Sequence, residues 1–91
     1  MYGSRMDELL LITQAREAAR SGAAAELRRA CQLSQAEIAR SVGVTPSAVA
    51  HWEAGIRLPR GAAAVRYGQL LEMLEARVLW TPAMLRARGR R

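Results

Sequence analysis

Apolar positions along the chain recur at the three-to-four-residue spacing of amphipathic helices, and short polar or glycine-containing breaks separate the runs. A first helix is predicted from about Arg5 to Arg20, with Ser4 as its cap. Asp7 and Glu8 fall in its first turn, where the helix dipole favours acids, and Leu9, Ile12 and Ala19 fall on or near one face. Ser21-Gly22 interrupts it. A second helix, about Ala23 to Gln32, presents Leu27, Ala30 and Cys31 at helical spacing, and Cys31 reads most simply as a small buried hydrophobe.

Ser34-Gln35-Ala36-Glu37 is a capping box, in which the Ser34 hydroxyl accepts from the Glu37 amide and the carboxylate reaches back. That helix ends near Gly43. Thr45-Pro46 restarts the chain, with Thr45 as cap and Pro46 at the first helical position, where a missing N–H costs nothing. Gly55 stops this short helix as a left-handed cap. A loop from Ile56 to Gly61 carries Arg57, Pro59 and Arg60. The next helix runs from about Ala62 to Val78, with Val65, Leu70, Leu71, Met73 and Leu74 as its apolar faces. Thr81-Pro82 repeats the cap-plus-proline signal and opens a short last helix ending by Gly89. No internal repeat or long linker divides the chain. Three stretches are distinguished: an N-terminal helix over residues 1–21, a bundle over 22–80 and a short basic tail over 81–91.

With 91 residues the chain makes one compact domain. Its basic residues are all arginine, alanine is abundant, Phe, Lys and Asn are absent, and aromatics are 4%; this favours packed helices over a sandwich or barrel. The fold class expected is all-α. The lone Cys31 excludes an internal disulfide framework and a cysteine-rich zinc site. No apolar run is long enough to span a bilayer and no secretion signal is visible, so a cytoplasmic protein without a membrane partner is expected.

Charge changes the picture further. The net of +6 is uneven: residues 1–27 carry −1, residues 28–60 carry +3 and residues 61–91 carry +4. Four arginines, Arg86, Arg88, Arg90 and Arg91, lie in the last six positions. An anionic partner is expected for the middle and the tail, and nucleic acid is the commonest one. A solvated, disordered tail is the competing reading for the last residues.

The stretch QAEIARSVGVTPSAVAHWEA, residues 35–54, places two short helices within twenty residues across a turn of three or four. That is the spacing of a helix-turn-helix, whose second helix enters the major groove. Ala39 must be small where the helices cross, Gly43 sits in the turn, and Ile38, Val42, Val44, Val49 and Trp52 fill the apolar slots. Residues from about Leu27 to Leu74 resemble the phage repressor/Cro-like helix-turn-helix family, also called the XRE family. The resemblance is carried by Leu27-Arg28, Leu33-Ser34-Gln35, Glu37-Ile38-Ala39, Gly43-Val44 and Trp52-Glu53 followed by Gly55. It implies a compact bundle of about five helices that binds operator DNA, usually as a homodimer. Two departures stand out: Gln32 occupies a position where the family often has glycine, and the N-terminal helix lies outside the family pattern.

The resemblance implies that Thr45, Pro46, Ser47, Ala48 and His51 face the bases. Ser47 and His51 lie four apart on one helical face, offering a hydroxyl and an imidazole, while Ala48 offers a methyl for thymine. None makes the bidentate pairing of arginine with guanine, so base readout is modest and shape and phosphate contacts carry much of the preference. Gln35 takes the place where family members contact a phosphate and buttress the second helix. Arg40, Arg57 and Arg60 flank that helix as phosphate clamps. Arg28 and Glu53 match positions that pair across the bundle, and Trp52 is read as a core residue first.

No convergent acids, bases, nucleophile or phosphate loop suggests an enzyme, and no cofactor or metal is implied. The leading expectation is a sequence-specific regulator that represses by occluding a promoter, in a bacterial cell or phage-infected host. Two alternatives stay open: an antitoxin-like regulator that also binds a partner protein through its N-terminal helix or its tail, and an interaction module that has lost DNA binding. Leu9 to Ile12, or Leu70, Leu71, Leu74, Val78 and Trp80, are candidate surfaces for a second chain.

Overall fold

A computed structural model describes residues 4–79, and the expectations for Trp80, the Thr81-Pro82 helix and Arg86, Arg88, Arg90 and Arg91 lie outside the described residues. Among the described residues there are five helices and no strand: α1 (Arg5–Ser21), α2 (Ala23–Ala30), α3 (Gln35–Val42), α4 (Pro46–Glu53) and α5 (Gly61–Leu79).

Local chemistry sets most of the boundaries. The Ser4 hydroxyl accepts from the Asp7 amide at 3.0 Å to start α1, and Gly22 at φ 88° separates α1 from α2. Ser34 and Glu37 form the full capping box at the start of α3. The Thr45 hydroxyl accepts from the Ala48 amide at 3.1 Å to start α4, with Pro46 as its first residue. Past the end of α4, Gly55 takes φ 76°; its amide donates to the Trp52 carbonyl, and the Ile56 amide to the His51 carbonyl. That pair of bonds is a Schellman ending, which needs a left-handed residue at its centre.

Helix α2 ends at Ala30, two residues short of the Gln32 expected from sequence. The cause is a second Schellman ending: the Gln32 amide donates to the Arg29 carbonyl at 2.9 Å and the Leu33 amide to the Arg28 carbonyl at 3.1 Å. Gln32 therefore holds φ 60°, a left-handed conformation that costs a residue with a Cβ about 1 kcal/mol. Gln32→Gly is expected to stabilise the chain by roughly 0.5 kcal/mol, because relief of that cost outweighs glycine's larger unfolded-state entropy. A lowered midpoint in thermal unfolding would count against this account. Cys31, the cap residue after α2, is a half-buried free thiol, less covered than the small buried hydrophobe expected.

One core joins all five helices. It contains Leu11, Ala15 and Ala19 of α1, Ala24 and Ala25 of α2, Ile38, Ala39 and Val42 of α3, Val49 and Trp52 of α4, and Ala64, Tyr67 and Leu71 of α5. Much of it is alanine, so the helices approach closely and dispersion between backbones replaces large side chains. Trp52 and Tyr67 supply the bulk at its centre, with ring centroids 4.8 Å apart and planes tilted by 38°. Such a pair adds about 0.5–1.5 kcal/mol beyond its burial.

Two apolar faces differ from expectation. On α1 the buried stripe is Leu11, Ala15 and Ala19, at a spacing of four, whereas Leu9 is 59% exposed. On α5 the core residues include Tyr67, while Met73 is 69% exposed and Val65, Leu70 and Leu74 are only partly covered. The N-terminal helix is thus packed into the same core as the rest, chiefly along α5.

Candidate nucleic-acid interface

Helices α3 and α4 are separated by Gly43, Val44 and Thr45 alone. Gly43 turns the chain at φ 85°, and the amides of Gly43 and Val44 both donate to the Ala39 carbonyl, at 2.8 and 3.0 Å. Ile38, Ala39, Val42, Val49 and Trp52 are buried between the helices, and Val44 is half-buried. This locks α4 across α3 and turns its other side outward. Thr45, Pro46 and Ser47 are exposed at the start of α4. Ala48 and His51 are half-buried, Ala48 because its methyl packs against the core. The Thr45 oxygen is already engaged by the Ala48 amide, so its remaining offer to a ligand is chiefly the hydroxyl hydrogen.

Behind α4, three side chains converge. Glu53 accepts from Arg28 Nε at 2.7 Å through Oε2, and from Arg28 Nη2 at 3.0 Å through Oε1. Gln35 Nε2 donates to the same Oε1 at 2.9 Å, and Arg28 Nη1 reaches the Leu33 carbonyl at 2.8 Å. The first residue of α3 and the last of α4 are thereby held to α2. Burial pushes the Glu53 carboxyl up, but the hydrogen bonds from Arg28 and Gln35 outweigh it and leave the group below its ordinary value. The hydrogen bond to Glu53 in turn raises Arg28, which stays charged. Gln35 faces inward with at least one of its amide hydrogens, which ties it to the last residue of α4; the resemblance implied both a phosphate contact and a buttress for that helix.

Arg40, Arg57 and Arg60 are exposed, Arg40 on α3 and the other two in the loop after α4. The His51 carbonyl accepts from the Arg57 amide at 3.3 Å as well as from Ile56, so the loop is tied to the end of α4. Two arginines escaped the sequence reading. Arg66 of α5 donates from Nε to the Val42 carbonyl at 2.6 Å, placing a cation at the C-terminal end of α3, where the helix dipole favours it. Arg16 of α1 donates from Nε to the Pro59 carbonyl at 2.9 Å and so braces the loop. Both bonds span more than twenty residues, so no local sequence signal announces them.

A family model described as helix-turn-helix, of the Cro/C1 type, matches residues 25–78, more than half the chain. The chain belongs to this helix-turn-helix family. Within it, α3 and α4 are the two helices of the motif, and α1 precedes the matched segment. The Cro/C1-type helix-turn-helix family is one of DNA-binding transcription regulators and is not typically enzymatic. Comparison with curated proteins and with solved structures gives no match. Among the described residues no helix is long and apolar enough to cross a membrane, and no group of three His, Cys, Asp or Glu could hold a metal ion.

Proposed function

We propose that the chain is a repressor that binds operator DNA as a homodimer, with α4 of each copy in the major groove. The observation that carries this reading is the outward side of α4. Thr45, Pro46 and Ser47 are exposed and His51 is partly so, while Val49 and Trp52 anchor the same helix in the core. Arg40 on α3 and Arg57 and Arg60 in the loop after α4 add exposed positive charge suited to phosphates. Two such helices, about 34 Å apart, would read an inverted repeat, and occupancy would block a promoter in the cytoplasm of a bacterial cell or phage-infected host. Gln35 contributes by fixing α4 through Glu53, and its second amide hydrogen remains for a phosphate.

The test is selection of genomic fragments followed by salt titration of the enriched site. Inverted repeats should be enriched, and the double variant Ser47→Ala/His51→Ala should lose roughly tenfold in preference over random duplex while keeping the salt slope. Failure to enrich any fragment would sink the reading. A second reading, in which a partner protein is also bound, rests on α1, where Met6, Leu9 and Leu10 are 76%, 59% and 61% exposed at helical spacing. Co-purification of a stoichiometric protein lost on Leu9→Glu/Leu10→Glu would favour it, and an unaffected homodimer with no such protein would remove it.

A further inference from the structure

Beside the end of α4 lies an open basin lined by Arg16, Trp52, Ile56, Arg57, Leu58 and Arg60. Three arginines therefore line one concavity, two from the loop after α4 and one from α1. No carboxylate is among the described residues that line it. Arg16 is not a passive neighbour. Its Nε is fixed on the Pro59 carbonyl, while the four hydrogens on its two terminal nitrogens are not used by that bond. Anchoring one edge of the guanidinium reduces the rotamer freedom it would lose on binding. Like charges gathered without a counter-charge are an arrangement that an anion completes, and guanidinium forks match phosphate oxygens in particular. The smaller cleft between α1, α2 and α5 carries Glu72 and Glu75 instead, the wrong charge for such a ligand.

We propose that Arg16 joins Arg57 and Arg60 in one site for a backbone phosphate of double-stranded DNA, so that α1, which precedes the matched family segment, is part of the DNA-binding surface. This rests on the DNA-binding reading above. It gives the added helix a second task besides packing: it carries a cation to the loop that directly follows α4.

The test compares wild type, Arg16→Gln and Arg16→Lys, all as the full chain, binding the selected duplex by fluorescence anisotropy across a salt series. Arg16→Gln should lower the log–log salt slope by about 0.9, with the loss of affinity greatest at low salt. Arg16→Lys should keep most of the slope, because the charge remains although the Nε anchor is gone. A uniform loss at every salt concentration with an unchanged slope, or no loss at all, overturns the proposal and leaves DNA binding intact. A wild type that binds no duplex at any salt overturns both readings. Should Arg16→Gln not fold, the Nε–H resonances of wild type decide: the Arg16 signal should shift together with those of Arg57 and Arg60 on adding duplex, and an unmoved Arg16 signal overturns the proposal.

Discussion

Gly68→Ala is expected to lower the thermal midpoint by on the order of 10 °C, although alanine is the better helix former. A Cβ built on Gly68 of α5 would lie 2.6 Å from the Leu11 carbonyl oxygen, 3.1 Å from its carbon and 3.2 Å from its Cβ. The obstacle is mainly backbone, which cannot rotate away as a flexible side chain can. Relief requires α1 and α5 to separate along the contact that buries Leu11, Ala15, Ala64 and Leu71. Such overpacking costs typically 1–3 kcal/mol, and loosening an alanine-rich contact puts the cost at the upper end. The helix-propensity gain of about 1 kcal/mol offsets only part of it. A net loss of about 2 kcal/mol follows, large for a domain whose total stability is of the order of 5–10 kcal/mol. Circular dichroism melts of the two proteins decide the matter: an unchanged or higher midpoint for the alanine variant would mean that the helices do not cross this closely.

Glu53→Ala is expected to be the other severe change, costing about 3 kcal/mol. The paired side chains are nearly enclosed, with Arg28 13% and Glu53 7% exposed, so the attraction is little screened. The desolvation of each charge is offset chiefly by its partner, helped by Gln35 on Glu53 and the Leu33 carbonyl on Arg28. Truncating Glu53 strands the Arg28 guanidinium and the Gln35 amide at once. The double variant Arg28→Met/Glu53→Met should cost less than Glu53→Ala alone, since no unpaired charge is left behind. If the two cost the same, the pair is only loosely coupled to the fold.

The same group ties stability to acid. In the folded chain Glu53 sits below its ordinary value of about 4.5, so the unfolded chain takes up the proton first as pH falls. Its contribution is complete above that ordinary value and is lost as pH drops through the lower folded one. Glu37 titrates in the same direction, its carboxyl lowered by the backbone and hydroxyl of Ser34 in the capping box. Denaturant midpoints of wild type should therefore fall between about pH 5 and pH 3, and more steeply than those of the double methionine variant. Parallel pH profiles for the two proteins would remove Glu53 from the acid response.

What could be read along the chain was what forms within a few residues. Ser4, Ser34 and Thr45 cap amides three residues ahead, Gly22, Gly43 and Gly55 turn the backbone where helices stop, and these bonds need no distant partner. The helix-turn-helix was legible for the same reason, because its spacing, small crossing residue and apolar slots all lie within twenty positions. Gln32 marks the limit of local reading: its side chain argues for nothing left-handed, the resemblance alone hinted at a glycine-like position there, and the paired bonds around it fix the helix end.

Tertiary packing decided the rest. Four consecutive apolar residues, Leu9 to Ile12, allow α1 to turn almost any side toward a core, so periodicity alone does not choose one. Closeness chooses it: only a stripe running through Ala15 and Ala19 lets α1 settle against Gly68, and that phase buries Leu11 and leaves Leu9 and Leu10 outside. Once α1 is so placed, Arg16 reaches Pro59, forty-three residues away, just as Arg66 reaches Val42 and Gln35 reaches Glu53. A hydrogen bond's length is set by how whole helices cross, and that crossing is a property of packed surfaces rather than of any segment's own pattern.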